Sequence, residues 1–228
     1  MFKNLLNLLH KDDLYTQALH ASHAMLDLDL EMFKSSIETL RRSDSCETNI
    51  DIYATDKRIN EFERDVRRKV LSHLAVGGAS DLSSGMTLVS IVIDIERIGD
   101  YAKNIFDLAK SHPSRLTGGS LETEVAEIEK TVDRFFTQTV KAFKDGDNDT
   151  ARAVMSGYKE ELSARCDQLV DGIISGKVTD LSPADAASLA LYVRYLKRIA
   201  AHSRNIMTSL VNPFHRIGYK EKKEDAAN

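Results

Sequence analysis

Apolar residues recur along most of this 228-residue chain at alternating steps of three and four, the spacing that gathers them on one stripe of an amphipathic helix. The clearest run is Leu88, Ile91, Ile95, Ile98, Ala102, Ile105 and Ala109. It predicts a helix opened by a cap at Ser80, with Asp81 and Ser83 behind it, and stopped by Pro113. Before it, Leu14, Ala18, Ala21, Met25, Leu28, Met32, Ile37 and Leu40 predict a first helix from Asp12 or Asp13 to Arg42. Ile52, Ile59, Phe62, Val66, Val70 and Leu74 predict a second, capped by Thr48 or Asn49 and closed by Gly77-Gly78. After it, Arg115 to Ser120 reads as a linker, and Ser120 is expected to cap a fourth helix carrying Val125, Ile128, Val132, Phe135, Phe136, Val140 and Phe143. A fifth helix runs from the Asp145–Asp149 break to Gly176, and a sixth starts on Ser182-Pro183 and stops at Asn212-Pro213.

Three helices, a linker and three more helices invite a search for an internal repeat. Arg97, Ile98, Asn104 and Ile105 fall without a gap on Arg198, Ile199, Asn205 and Ile206, and Phe33, Ile37, Leu40 and Asp44 fall on Phe136, Val140, Phe143 and Asp147. In the second and fifth helices Asp56 to Phe62 falls on Ser163 to Leu169. The expected fold is all-α: two tandem three-helix bundles from an internal duplication, each a spectrin-repeat-like helix bundle. The expected divisions are a first bundle over 1–112, a linker over 113–120, a second bundle over 121–213 and a frayed charged tail over 214–228.

Composition agrees with helices, since 29% of residues are charged, 42% are hydrophobic and only 3 are proline. The two cysteines, Cys46 and Cys166, have neither zinc-site nor disulfide-framework spacing and read as reduced thiols, which fits a cytoplasmic location. The apolar start, Met1 to His10, is too short to span a membrane and is followed by no cleavage site; it reads as an arm that folds back or seeks a partner. A net charge of -4 gives no electrostatic case for nucleic acid and leaves protein as the expected partner.

Candidate chemistry lies on a second stripe of the central helix, Met86, Val89, Ile93, Glu96, Asp100 and Asn104, which turns acidic halfway. Glu96 and Asp100 stand one turn apart, where like charges repel unless a cation compensates them. Arg97, three residues before Asp100, is one such cation; a bound metal ion is the other. His20, His23 and Asp27 allow a weaker metal reading, and His202 reads as a polar residue at the bundle edge. Gly99 and Ala102 read as small residues that permit close helix approach. No Glu-x-x-His, phosphate-cradling glycine loop or Gly-x-Ser-x-Gly turn occurs, and no catalytic residue is expected.

The string Asp94-Ile95-Glu96-Arg97-Ile98-Gly99-Asp100-Tyr101-Ala102, on the third helix of a duplicated three-helix unit, resembles the signature of the PhoU family, and Arg194 to Ala200 is a partial echo of it. The resemblance implies a non-enzymatic cytoplasmic negative regulator of phosphate homeostasis. It would restrain phosphate transport and phosphate-starvation signalling by contacting a phosphate ABC transporter ATPase, a phosphate sensor histidine kinase, or both. Such a protein is peripheral to the membrane through its partners only, binds no nucleic acid, and can pair as a homodimer. Family metal clusters use acidic pairs four apart; carried over, these give one site, Glu96, Asp100, Asp56 and Asn60, for iron, zinc or another divalent or trivalent cation. In the second half Lys197, Ala201 and Ser163 replace the acids and leave only Asp167. Arg97, Asn104, Arg198 and Asn205 are the expected motif and partner-contact residues. The two halves would then differ in charge, acidic near Glu96 and basic near Arg194, Lys197, Arg198 and Arg204. A helical metal-binding protein and an accessory subunit of a different anion transporter are the alternative functions.

Overall fold

The computed structural model of the chain describes residues 13–77 and 81–221 and contains only helices and their connections. Helix α1 (Leu14–Arg42) begins where the Asp13 carboxylate accepts the Thr16 N–H at 2.6 Å. Helix α2 (Ile52–Gly77) is capped by Asp51, whose Oδ1 accepts the Ala54 N–H at 3.0 Å. Thr48 and Asn49, the expected caps, bond instead to the Ile50 carbonyl and the Ser35 hydroxyl. Helix α3 (Leu82–Ser111) ends just before Pro113; its expected cap, Ser80, lies outside the described residues, and Asp81 spends its carboxylate on His73 at 3.0 Å.

A 3-10 turn precedes α4 (Glu122–Asp145), so Ser120 does not cap it. Ser120 binds Asp180 through both its N–H, at 2.7 Å, and its hydroxyl, at 2.9 Å. Helix α5 (Asn148–Gly157) passes through a π-helical turn (Tyr158–Ser163) into α6 (Ala164–Ile174), and the three pieces form one rod. Gly157 leaves room for the Phe135 ring, whose tip would stand 2.5 Å from any added Cβ. Helix α7 (Pro183–Val211) carries the proline start behind a Ser182 cap that the sequence predicts.

The two three-helix halves pack along α3 against α7 and α1 against α4. Residues that the duplication makes equivalent meet at these contacts: Phe33 and Phe136 stand edge to face at 5.8 Å, and Tyr101 stacks on His202 at 5.8 Å. The halves are therefore related by a pseudo-two-fold axis and share one continuous apolar core that includes Met25, Phe33, Ile95, Phe135, Phe136 and Tyr192. Each such side chain contributes about 1.5–3 kcal/mol on burial, so the interface between halves is core rather than docking surface.

The connection expected as a linker is anchored. Leu116 is buried, its N–H bonds the Leu40 carbonyl at 2.8 Å, and its own carbonyl accepts from Arg41. The expected frayed tail is likewise ordered as far as Glu221. Asn212 donates to the Arg216 and Tyr219 carbonyls, the Gly218 N–H bonds the Thr208 hydroxyl at 2.8 Å, and Glu221 pairs with Arg152 through two contacts of 2.8 Å. The N-terminal arm lies outside the described residues. Among the described residues no helix is long and apolar enough to cross a membrane.

Candidate functional site

The acidic stripe of α3 faces α2, and the structure brings all four expected residues to that groove. Asp56 on α2 and Asp100 on α3 share the Lys103 ammonium, at 2.8 and 3.2 Å. Arg97 reaches Asp100 at 3.1 Å and Glu96 at 3.6 Å from the solvent side. Asn60 turns its amide back along its own helix, donating to the Asp56 carbonyl at 3.0 Å. Burial pushes the Glu96 carboxyl above its ordinary pKa, and repulsion from Asp100 adds to it. Arg97 is thus one of the compensating cations, as the i,i+3 spacing suggests, and Lys103 is the other. The Lys103 ammonium takes the central place, and among the described residues no group of three or more acidic, His or Cys side chains is arranged to hold a metal ion.

Beneath this groove lies a residue that sequence reasoning missed. Asp29 on α1 is fully buried, and neither of its carboxylate oxygens has a hydrogen-bond partner. Burial drives its carboxyl well above the ordinary range, and the negative charges of Glu96, Asp56 and Asp100 push the same way. Gly99 makes the space: a Cβ there would stand 2.6 Å from Asp29 Oδ1 and 3.3 Å from the Ile59 side chain. At the equivalent places in the second half stand Val132 and Ala200, both buried. One half therefore holds a glycine and an acid where the other holds ordinary apolar packing.

Gly99→Ala is accordingly expected to cost about 1–3 kcal/mol through overpacking, read as a lowered midpoint of urea unfolding. In an Asp29→Ala background the obstruction is gone and the same substitution is expected to cost much less. Equal costs in both backgrounds would show that the glycine answers to some other neighbour.

A second polar cluster ties α3 to α7. His202 is buried, with Nδ1 against Asp94 Oδ1 at 2.7 Å, and Asn205 donates to the same oxygen at 3.2 Å. Arg198 reaches His202 Nε2 and the Tyr101 hydroxyl, both at 3.2 Å, with its guanidinium 5.8 Å from the Tyr101 ring centroid. The pseudo-two-fold converts the Asp94–His202 contact into Tyr195 against Tyr101, which meet at 5.8 Å. His202 is thus an interior residue of the seam, contrary to its reading as a bundle-edge group. Of the residues expected to contact partners, Arg198 and Asn205 are engaged within the chain, Arg97 is exposed and Asn104 is half-buried.

In the second half Lys197 binds Asp167 at 2.6 Å, so this lysine supplies the cation to the one acid left there. On α1, Asp27 is paired with Lys144, and His23 packs edge-on to Phe143 at 5.5 Å. Burial, aided by the charge of Lys144, holds His23 below its ordinary pKa.

The same two-half organisation appears in comparison with known proteins. The family model described as the PhoU domain matches twice, over residues 23–109 and 125–210. The chain belongs to the PhoU family. Its curated PhoU relatives include phosphate-specific transport system accessory protein homologues of Pseudomonas aeruginosa and Clostridium acetobutylicum. The first is 25% identical over 181 residues, covering 76% of this chain and 74% of the relative. The second is 25% identical over 182 residues, covering 77% and 80%. Among solved structures, PhoU from P. aeruginosa superposes with a TM-score of 0.76 at 22% identity, covering 86% of this chain and 94% of that one. The phosphate transport system regulatory protein PhoU from Streptococcus pneumoniae gives 0.74 at 20% identity, covering 86% and 92%. These two likenesses establish a shared fold. The motif around Asp94–Ala102, which supplies both the groove acids and the seam aspartate, lies inside the first PhoU match.

Proposed function

We propose that this PhoU-family chain is a non-enzymatic cytoplasmic regulator of phosphate homeostasis. It restrains phosphate transport and phosphate-starvation signalling through contact with a phosphate ABC transporter ATPase, a phosphate sensor histidine kinase, or both. The observation that carries the reading is the double PhoU match, one per half, together with curated relatives named as accessory proteins of phosphate-specific transport. The geometry supports it: the polar chemistry around Asp94, Asp100, Lys103 and His202 is used to hold rigid rods together, which suits a scaffold that presents helix faces to a partner. Partners alone would bring it to the membrane, and a homodimer is compatible with its exposed faces. In cells lacking the chain, phosphate uptake and phosphate-responsive transcription under phosphate-rich conditions are expected to rise. Affinity capture from detergent-solubilised membranes should recover the ATPase or the kinase. Unchanged uptake together with unchanged transcription would sink the proposal, and recovery of a different anion transporter would redirect it.

The surplus of acid in the α2–α3 groove favours a second reading, a metal-binding role. Asp56, Glu96 and Asp100 face Lys103 and Arg97 with the buried Asp29 beneath them, and Glu96 is pushed toward protonation. Glu96, Asp100, Asp56 and the Asn60 amide oxygen would hold a divalent or trivalent cation, with hard, oxygen-seeking ferric iron a better match than zinc, once the Lys103 ammonium swings out. Metal content of the purified chain decides it: about one ion per chain, lost in Asp100→Asn, supports the reading, and a metal-free chain ends it.

A further inference from the structure

The duplication gives each half a groove at its outer end, and the described residues fill the one in the second half. In the first half the groove opens between the starts of α1 and α3 and the ends of α4 and α7. Its volume is about 670 Å³, and Tyr15, Leu19, Leu88, Ile91, Phe143 and Leu210 give it an apolar lining. His23 also lines it, and its Nε2 is buried without a hydrogen-bond partner among the described residues.

The pseudo-two-fold carries this groove to the opposite end of the molecule. Ser84 falls on Asp185, Phe143 on Leu40 and Lys144 on Arg41. There the connection leading into α4 lies across the equivalent walls. His112 meets Asp185 at 3.0 Å, and the fully buried Leu116 bonds the Leu40 carbonyl through its N–H and accepts from Arg41 through its own carbonyl. The segment just before the first helix of the second half thus occupies the second groove. Its counterpart in the first half is residues 1–12, which lie outside the described residues.

The sequence of that segment matches the groove. Phe2, Leu5, Leu6 and Leu9 have the spacing of one apolar helix face. As a helix, Phe2 to Leu9 rises about 11 Å, and the groove wall from Tyr15 to His23 runs about 12 Å. Asp13 has extended backbone angles, so the helical path stops there, and His10 to Asp12 suffice as the short connection of an antiparallel helix pair. Tyr15, on the groove wall, follows Asp13 by two residues. So short a tether gives the arm an effective concentration on the order of millimolar at the groove, ahead of a free partner or a second copy. The strap that follows α7 is committed to Thr208 and Arg152.

We propose that Phe2, Leu5, Leu6 and Leu9 of the chain's own N-terminal arm dock in this groove and close the first half as Leu116 closes the second. The groove is then a surface for the chain itself, and any protein that reaches it must first displace the arm.

Cysteine pairs test this in the full chain carrying Cys46→Ser, with the buried Cys166 left in place. Leu6→Cys is combined either with Leu210→Cys in the groove or with Leu71→Cys. Leu71 is 71% exposed and lies outside the groove, two residues from His73, whose ring stands 5.8 Å from that of Tyr15. Mild oxidation is followed by intact mass and peptide mapping. The bond within one chain to position 210 is expected to form about tenfold or more faster than the bond to position 71, and Leu5→Asp/Leu9→Asp is expected to abolish that advantage. The proposal is overturned if the two pairs close at the same rate or if the aspartates leave the rate unchanged. It is equally overturned if the bond to position 210 joins two chains, which makes a second copy the occupant.

Discussion

Arg41→Ala is expected to destabilise the chain by about 3–5 kcal/mol, the cost of stripping one partner from a buried ion pair. Arg41 sits at the end of α1 with only 5% of its side chain exposed and binds three groups outside its own half. Its Nε donates to Glu129 at 2.6 Å, one terminal nitrogen to Glu122 at 2.6 Å, and the other to the Leu116 carbonyl. Glu129 in turn accepts the hydroxyl of the fully buried Tyr192 at 2.9 Å. One guanidinium thus joins α1, the inter-half connection, α4 and, through Glu129, α7. Its loss leaves a nearly buried carboxylate and a backbone carbonyl without their donor. Thermal unfolding followed by circular dichroism should show a midpoint lowered by about 10 °C for a chain of this size. Arg41→Lys should fall between, because a lysine keeps the charge but cannot present three directed donors. A midpoint within about 2 °C of the parent for Arg41→Ala would mean that the halves are held together elsewhere.

Asp29→Val has the opposite expected sign: a gain of about 1–3 kcal/mol near neutral pH, since it removes a buried acid that no hydrogen bond compensates. The second half supplies the precedent, with buried Val132 at the equivalent position. The pH dependence follows from the direction of the shift. The Asp29 carboxyl is raised in the folded chain above its ordinary value of 3.8, so the folded state holds the proton more tightly than the unfolded state does. Its contribution to stability is complete below that ordinary value and is lost as pH rises toward the raised one. The advantage of Asp29→Val should therefore be largest at neutral and mildly alkaline pH and shrink as the solution is acidified toward pH 4. Denaturant unfolding of both chains across that range checks it. A variant no more stable at neutral pH, with a difference that ignores pH, would show that Asp29 finds compensation in solution. If the stabilised variant also loses its regulatory effect in cells, the buried acid is retained for function at a cost in stability.

The helices, their order and the duplication were legible in the sequence because their causes are local or periodic. Steps of three and four mark the buried stripe of each rod, Ser182-Pro183 opens α7, and Pro113 stops α3. Arg97 and Arg198, with their flanking isoleucines, reveal the repeat without any coordinates. The acidic pair Glu96 and Asp100, one turn apart on one face, was equally readable, as was its need for a cation.

Which cation answers that need was a tertiary matter. Lys103 reaches across to Asp56, 47 positions earlier, and only the packing of α2 on α3 brings them within 2.8 Å. Asp94 and His202 are 108 residues apart and meet at 2.7 Å because the pseudo-two-fold lays α3 on α7. Arg41 looks like a solvent-facing residue in the last turn of a helix until the 113–120 segment folds over it and buries Leu116. Asp29 continues the stripe of Met25 and Met32 and falls on Val132 in the repeat, but spacing alone does not tell that an acid there stays buried, which depends on a missing Cβ at Gly99 on another helix. Periodicity along one chain determines which face of a helix is apolar; which polar groups that face meets is decided by the neighbouring helix, whose register and side-chain volumes no local spacing contains.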